Sequence, residues 1–176
     1  MITYNIVVRI ANDKDFLSPI FASFGRIKKE GVAFKFNVIG KIYSHPVYDR
    51  LTTLAAALDI TGNIHFTKTS IRYIDLDEEI KKGFFINYSL DDVVGYATME
   101  AMNLGFKTIL FNCDPAITKK SGRLSFCNTA NDLFDITMLL AQNEEATTTK
   151  IVEENMAFRN NFFLNKVEET LLLSLL

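Results

Sequence analysis

Short, continuous apolar runs alternate along the chain with longer stretches in which apolar residues recur every three or four positions. The first pattern predicts buried strands and the second amphipathic helices. Strands are predicted at Ile6–Arg9, Phe34–Ile39, Asn63–Phe66, Phe84–Asn87 and Thr108–Phe111, with a short sixth at Ser125–Cys127. A helix is predicted over Asp15–Lys29, where Phe16, Ile20, Phe24 and Ile27 share one face and basic residues gather before Gly31. Pro46–Leu58 predicts a second helix, with proline in the first turn, where a missing N–H costs nothing. Asp75–Lys82 is acidic at its start and basic at its end, as a helix dipole favours. Thr98–Leu104 predicts a helix closed by Gly105. Asp132–Gln142 and Lys150–Leu176 complete the set, the last one long or broken.

Strictly alternating strands and helices, with strands apolar on both faces, argue for a parallel sheet covered on both sides. The expected fold is α/β, a doubly wound Rossmann-like sheet, in a single domain over residues 1–176. No internal repeat, low-complexity tract or linker interrupts it. Ligands of such sheets sit beyond the carboxyl ends of the strands. The loops after Arg9, Gly40, Phe66, Asn87 and Phe111 are therefore the ones to inspect.

Composition narrows the function. The chain is 48% hydrophobic and 23% charged, an ordinary globular balance. Its net charge of -2 supplies no basic field for nucleic acid or an anionic membrane, so a phosphate ligand would have to be held locally. Two cysteines and two histidines are too few for a disulfide framework, and they show no metal-site spacing. This usage fits a reducing, cytoplasmic setting. Residues 1–5 lack the features of a signal peptide, and the apolar run Leu171–Leu176 is too short to span a bilayer. With no Gly-x-Gly, neither a dinucleotide fingerprint nor a Walker loop is available. No Ser-His-Asp or Cys-His arrangement suggests itself either.

Two stretches carry candidate chemistry. In Val8-Arg9-Ile10-Ala11-Asn12-Asp13-Lys14-Asp15, two cations flank a loop on the ligand side of the sheet. Arg9 as a fork and Lys14 as a point charge suit a diphosphate; on spacing alone the plainer reading is two solvated surface charges. In Tyr88-Ser-Leu-Asp-Asp-Val-Val-Gly-Tyr-Ala-Thr-Met-Glu100-Ala-Met-Asn-Leu-Gly105, a strand gives way to a loop with carboxylates and then to a helix. The unpaired amides at that helix start form an anion site. Glu100, expected in its first turn, equally suits the helix dipole, and Asp91 and Asp92 suit a turn.

The second stretch resembles the Glu-x7-Glu signature of retaining group 1 (family 4) glycosyltransferases, written Ser-x-x-Glu-Gly-Phe-Gly-x4-Glu-Ala-Met-x-x-Gly. Ser89, Gly95, Glu100, Ala101, Met102 and Gly105 stand in register with it. Arg9 and Lys14 stand at the spacing of that family's Gly-Arg-x4-Lys loop. Asn37–Gly40 is similar to its second strand, Leu58–Phe66 to its Leu-Gly-Leu…Val-x-Phe segment, and Phe158–Glu169 to its closing helix. The chain departs from the family at Asp92, where Glu is usual, at Val93-Val94 for Gly-Phe, at Val8 for Gly and at Lys107 for Pro.

The resemblance implies the C-terminal, donor-binding half of a two-domain (GT-B) enzyme that transfers sugar only together with an N-terminal acceptor half, in cis or in trans. The implied activity is hexosyl transfer from a UDP- or GDP-sugar, as in polysaccharide or glycoconjugate synthesis, with no cofactor and no metal. Arg9 and Lys14 would neutralise the leaving diphosphate, worth roughly 3–4 kcal/mol per well-placed donor. The amides of Gly95, Tyr96, Ala97 and Thr98 would hold the same phosphates, Glu100 the ribose, and Asp92 the transferred sugar. Thr67 and Lys68 would border the base. Asp75-Leu-Asp77 has the form of the metal motif of the other fold class but reads as a solvated helix cap. A catalytically silent accessory subunit is the alternative. The apolar end of the last helix, around Phe162, Phe163, Val167 and Leu171–Leu176, suggests a surface for self-association.

Overall fold

The structure, a computed structural model, describes residues 1–12, 17–88, 96–111, 124–160 and 170–171. Six strands form one sheet: β1 (Ile2–Val7), β2 (Phe34–Ile39), β3 (Ile64–Phe66), β4 (Phe84–Tyr88), β5 (Lys107–Phe111) and β6 (Phe126–Cys127). Their order is β3-β2-β1-β4-β5-β6, and every pairing is parallel. The chain builds outward from β1 to β3, crosses back to lay β4 against the other side of β1, then builds outward again. The loops leaving β1 and β4 therefore part in opposite directions, which opens a crevice at the carboxyl end of the sheet centre.

The helices are α1 (Leu17–Lys29), α2 (His45–Ala57), α3 (Glu78–Lys81), α4 (Tyr96–Asn103), α5 (Ala130–Gln142) and α6 (Glu144–Arg159). Two of them end in the same way. Gly31 and Gly105 take left-handed backbone (φ 76° and 77°), and the following amides reach back to Ile27 and Ala101. Glycine enters that conformation without a Cβ penalty.

Apolar side chains of α1, α2 and α5 cover one face of the sheet, while the turn Tyr73–Asp75, α3 and α4 cover the other. The first face is built largely from rings. Phe24 stacks on Phe34 at 4.8 Å and lies 4.6 Å from Phe36 and 5.2 Å from Tyr4. The Tyr4 hydroxyl, buried there, is paired with Thr137 at 2.7 Å. The second face holds a polar pair in register across β1 and β2: Asn37 donates to Asn5, which donates to the Ile80 carbonyl. At the β5 edge, where β6 is short, α6 completes the ladder with side chains. The Asn155 amide pairs with both backbone groups of Thr108, and the Glu154 carboxylate accepts from the amides of Leu124 and Ser125.

Several expected boundaries move: the helix expected at Asp75–Lys82 is confined to Glu78–Lys81, and the one expected from Asp132 starts at Ala130. The first strand is Ile2–Val7 and not Ile6–Arg9, because the Asn5–Asn37 pairing buries a polar residue inside it. The fourth helix begins at Tyr96 and not Thr98. The last begins at Glu144 and not Lys150. The Asn143 side chain caps it by accepting from the Ala146 amide, and Glu144 and Glu145 suit its dipole. Most of the run 161–176 lies outside the described residues; Leu171 is exposed. Among the described residues no helix is long and apolar enough to cross a membrane.

Candidate functional site

Of the sequence-derived candidates, Arg9 follows β1 and the start of α4 follows β4, the two strands that flank the crevice, whereas Thr67 and Lys68 follow β3 at the sheet edge. Beyond Val7 the chain stays extended and is pinned to the neighbouring strand loop. The Val8 amide donates to Ile39 O (2.9 Å) and the Ile10 amide to Lys41 O (3.0 Å). The amides of Tyr43 and Ser44 both donate to Ile10 O, at 2.8 and 3.0 Å. Ile10 and Ile42 form a parallel bridge past the end of the sheet. Arg9 thus sits, exposed, between two anchored residues on a backbone that is fixed before any ligand arrives. Lys14 lies outside the described residues.

On the β4 side, Asp92 and Gly95 also lie outside the described residues. The backbone of Tyr96 opens α4, Ala97 is exposed, and the Thr98 side chain is buried in its first turn. Glu100 is exposed and is the fifth residue of α4, which corrects its expected place in the first turn. At that depth the helix dipole has largely faded, so complementing it does not account for the carboxylate. Glu100 lies near Tyr73, whose hydroxyl is pushed above its ordinary pKa, chiefly by burial and secondarily by the Glu100 charge. The same hydroxyl donates to Asn87 Oδ1 at 3.4 Å on β4, and the Asn87 amide nitrogen is buried with no partner among the described residues.

Thr67 and Lys68, expected to border a base, are committed to the scaffold. The Thr67 hydroxyl accepts from the Gly40 amide (3.0 Å) and donates to Thr69 O (2.9 Å), tying the loops after β2 and β3 together. Lys68 takes left-handed backbone (φ 60°), and its ammonium lies 5.4 Å from the Tyr48 ring centre. Such backbone in a non-glycine residue costs roughly 1–2 kcal/mol. Asp75 forms an exposed ion pair with Arg72, and Asp77 precedes α3 as its cap residue without a side-chain cap bond, in keeping with a solvated helix start. A cavity of about 290 Å³ lined by Phe126, Asp132 and Leu139 lies at the outer β6 edge, remote from the crevice. Among the described residues no three His, Cys, Asp or Glu side chains converge as metal ligands.

No protein-family model matches the chain, and no curated protein sequence is similar to it. Solved structures are. A glycosyltransferase from Rickettsia africae superposes with a TM-score of 0.68 at 20% identity, over 98% of this chain and 46% of its own. HepE of Anabaena, solved with UDP and glucose, gives 0.70 at 12% identity, over 98% of this chain and 47% of its own. The fold is that of one half of a GT-B glycosyltransferase. A third structure is itself a single domain, the C-terminal domain of the group 1 glycosyl transferase LpcC from Francisella tularensis. It gives 0.61 at 17% identity, over 92% of this chain and 85% of its own. The chain therefore spans about half the length of the first two structures and most of the third.

Two features of the structure are absent from the sequence-derived site. One is the Tyr73–Asn87 pair, signalled only by a lone asparagine inside the apolar run of β4. The other is the set of bonds from Gly40–Ser44 that holds the Arg9 backbone. Its signal is a Ser-His-Pro helix start that reads as an ordinary cap.

Proposed function

We propose that the chain is the donor-binding half of a glycosyltransferase, taking a nucleoside diphosphate sugar and acting with an acceptor-binding half supplied in cis or in trans. The observation that carries this reading is the exposed Arg9 on a pinned strap at the sheet's switch point, where β1 lies beside β4, the strand that leads to α4. HepE, of the same fold, is solved with UDP and glucose, and the LpcC structure is the C-terminal domain of a group 1 glycosyl transferase.

In this reading the diphosphate lies between Arg9, Lys14 and the amides of Gly95 to Thr98. Arginine offers a planar fork of donors, and the helix start offers unpaired amides at a positive end. As the bond between sugar and phosphate breaks, charge gathers on the departing oxygens. Donors already fixed in place stabilise that charge without reorganising. Glu100 accepts from the ribose hydroxyls and Asp92 contacts the transferred sugar, with retention of configuration. Thr67 and Lys68 shape the loop beside the base through the backbone more than through their side chains. The setting is cytoplasmic and the product a polysaccharide or glycoconjugate. The apolar sequence at the end of the chain suits contact with the acceptor-binding half or with a second copy, which light scattering of the full chain against a version ending at Glu169 distinguishes.

The test is turnover. The chain mixed with an acceptor half of a group 1 enzyme should consume a UDP- or GDP-sugar, and the chain alone should bind without turnover. Binding with no turnover in any such pairing would favour the silent accessory subunit.

A further inference from the structure

We propose that Ser44 is a positioning residue for the phosphate-binding strap: it gives up its role as a helix cap to fix Asn12 and Ile10, and through them Arg9. The inference rests on the donor-site reading above and adds a residue to it.

Ser44 occupies the N-cap position of α2, with extended backbone (φ -130°, ψ 105°) and its carbonyl accepting from the Tyr48 amide. Serine is favoured there because its side-chain oxygen accepts from an amide of the first turn. Here no side-chain cap bond exists. The Ser44 hydroxyl instead donates to Asn12 Oδ1, 32 residues away on the strap that leaves β1. Its backbone amide donates to Ile10 O at 3.0 Å, so two groups of one residue grip the strap on either side of Ala11. Pro46, within the first turn, removes one of the amides a cap would have served. Ser44 is itself 8% exposed and Asn12 is exposed, so the tie runs from the buried helix start to the surface of the strap.

Arg9 lies between Val8 and Ile10, each bonded to the β2 side. Loosening Asn12 and Ile10 frees the strap at its distal end, and an arginine fork loses affinity when its backbone wanders.

The expected helix-cap behaviour and the expected positioning behaviour separate cleanly. Ser44→Gly remains a good cap but has no side chain to bond Asn12, whereas Ser44→Thr keeps the donating hydroxyl. Ser44→Ala should speed amide exchange over residues 8–12 in the ligand-free chain. It should also weaken UDP by roughly tenfold, the scale on which one charge-assisted bond is lost, with uridine unchanged. Ser44→Thr should restore both readouts and Ser44→Gly neither. If the wild type binds UDP, but Ser44→Ala leaves the ratio of UDP to uridine affinity unchanged or Ser44→Gly restores it, the positioning role is overturned. If the wild type binds neither UDP nor GDP at millimolar concentration, the donor-site reading itself fails.

Discussion

Gly40 approaches Val8 so closely that a Cβ on Gly40 would lie 1.9 Å from the Val8 carbonyl oxygen. Backbone, not a flexible side chain, fills that space, so a larger residue cannot be accommodated without moving the strap that carries Arg9. Gly40→Ala should cost about 2–3 kcal/mol, at the upper end of overpacking effects, and should reduce UDP affinity in whatever fraction remains folded. Urea titration and calorimetry on the same preparation check both. Unchanged stability would mean that the two strands do not meet this closely.

Alkaline pH should unfold the protein early. Tyr4, Tyr73 and Cys127 all have their pKa values raised, burial being the largest cause in each. For Tyr4 the hydrogen bond with Thr137 offsets only part of that burial. The unfolded chain releases these protons near their ordinary values, about 10 for tyrosine and about 8.5 for cysteine, whereas the folded chain holds them. Their contribution is therefore intact below about pH 8.5 and is lost as pH rises past the unfolded values toward the folded ones. The urea midpoint should fall between pH 8 and 11, and fall less in Tyr73→Phe. A midpoint flat over that range contradicts the burial of all three.

Glu100 tests function against stability. Exposed and past the first turn of α4, it should matter little to folding, so Glu100→Ala should change stability by less than about 0.5 kcal/mol. If it accepts ribose hydroxyls, the same variant should lose a charge-assisted bond of about 1.5–3 kcal/mol toward UDP. Wild type should then prefer UDP to 2′-deoxy-UDP, and the variant should barely distinguish them. A wild type indifferent to the 2′-hydroxyl removes the assigned role.

Arg9 should act on charge alone. Arg9→Ala should weaken UDP by roughly tenfold or more, and leave uridine, which has no phosphate, unaffected. Titration of the two ligands in parallel reads the difference. Equal weakening of both would point to a folding defect.

The sequence foreshadowed every strand and the face-to-face layering. Short apolar runs such as Phe84–Ile86 and Ile109–Phe111, set between turn residues, signal buried parallel strands. Boundaries moved where a side chain did something the pattern does not encode. Asn5 is hidden in β1 by Asn37, and Asn143 caps α6 ahead of the threonine-rich stretch 147–149 that weakens the helical pattern. In the site, Arg9 and the α4 start were legible because charge and glycine punctuation mark them. The bonds from Lys41, Tyr43 and Ser44 to the β1 strap were not. They join residues about 30 positions apart, mostly through backbone groups, which leave no residue-type signature.

The central claim is that this chain holds a nucleoside diphosphate in the crevice between β1 and β4. Isothermal titration of the intact chain with UDP, GDP and their glucose and mannose conjugates tests it most directly. The account predicts weak, saturable binding of one base series without added metal, lost as ionic strength rises because the contact is with charged phosphates. Absence of binding by every one of these ligands at millimolar concentration, from a chain shown by its melting transition to be folded, would contradict it.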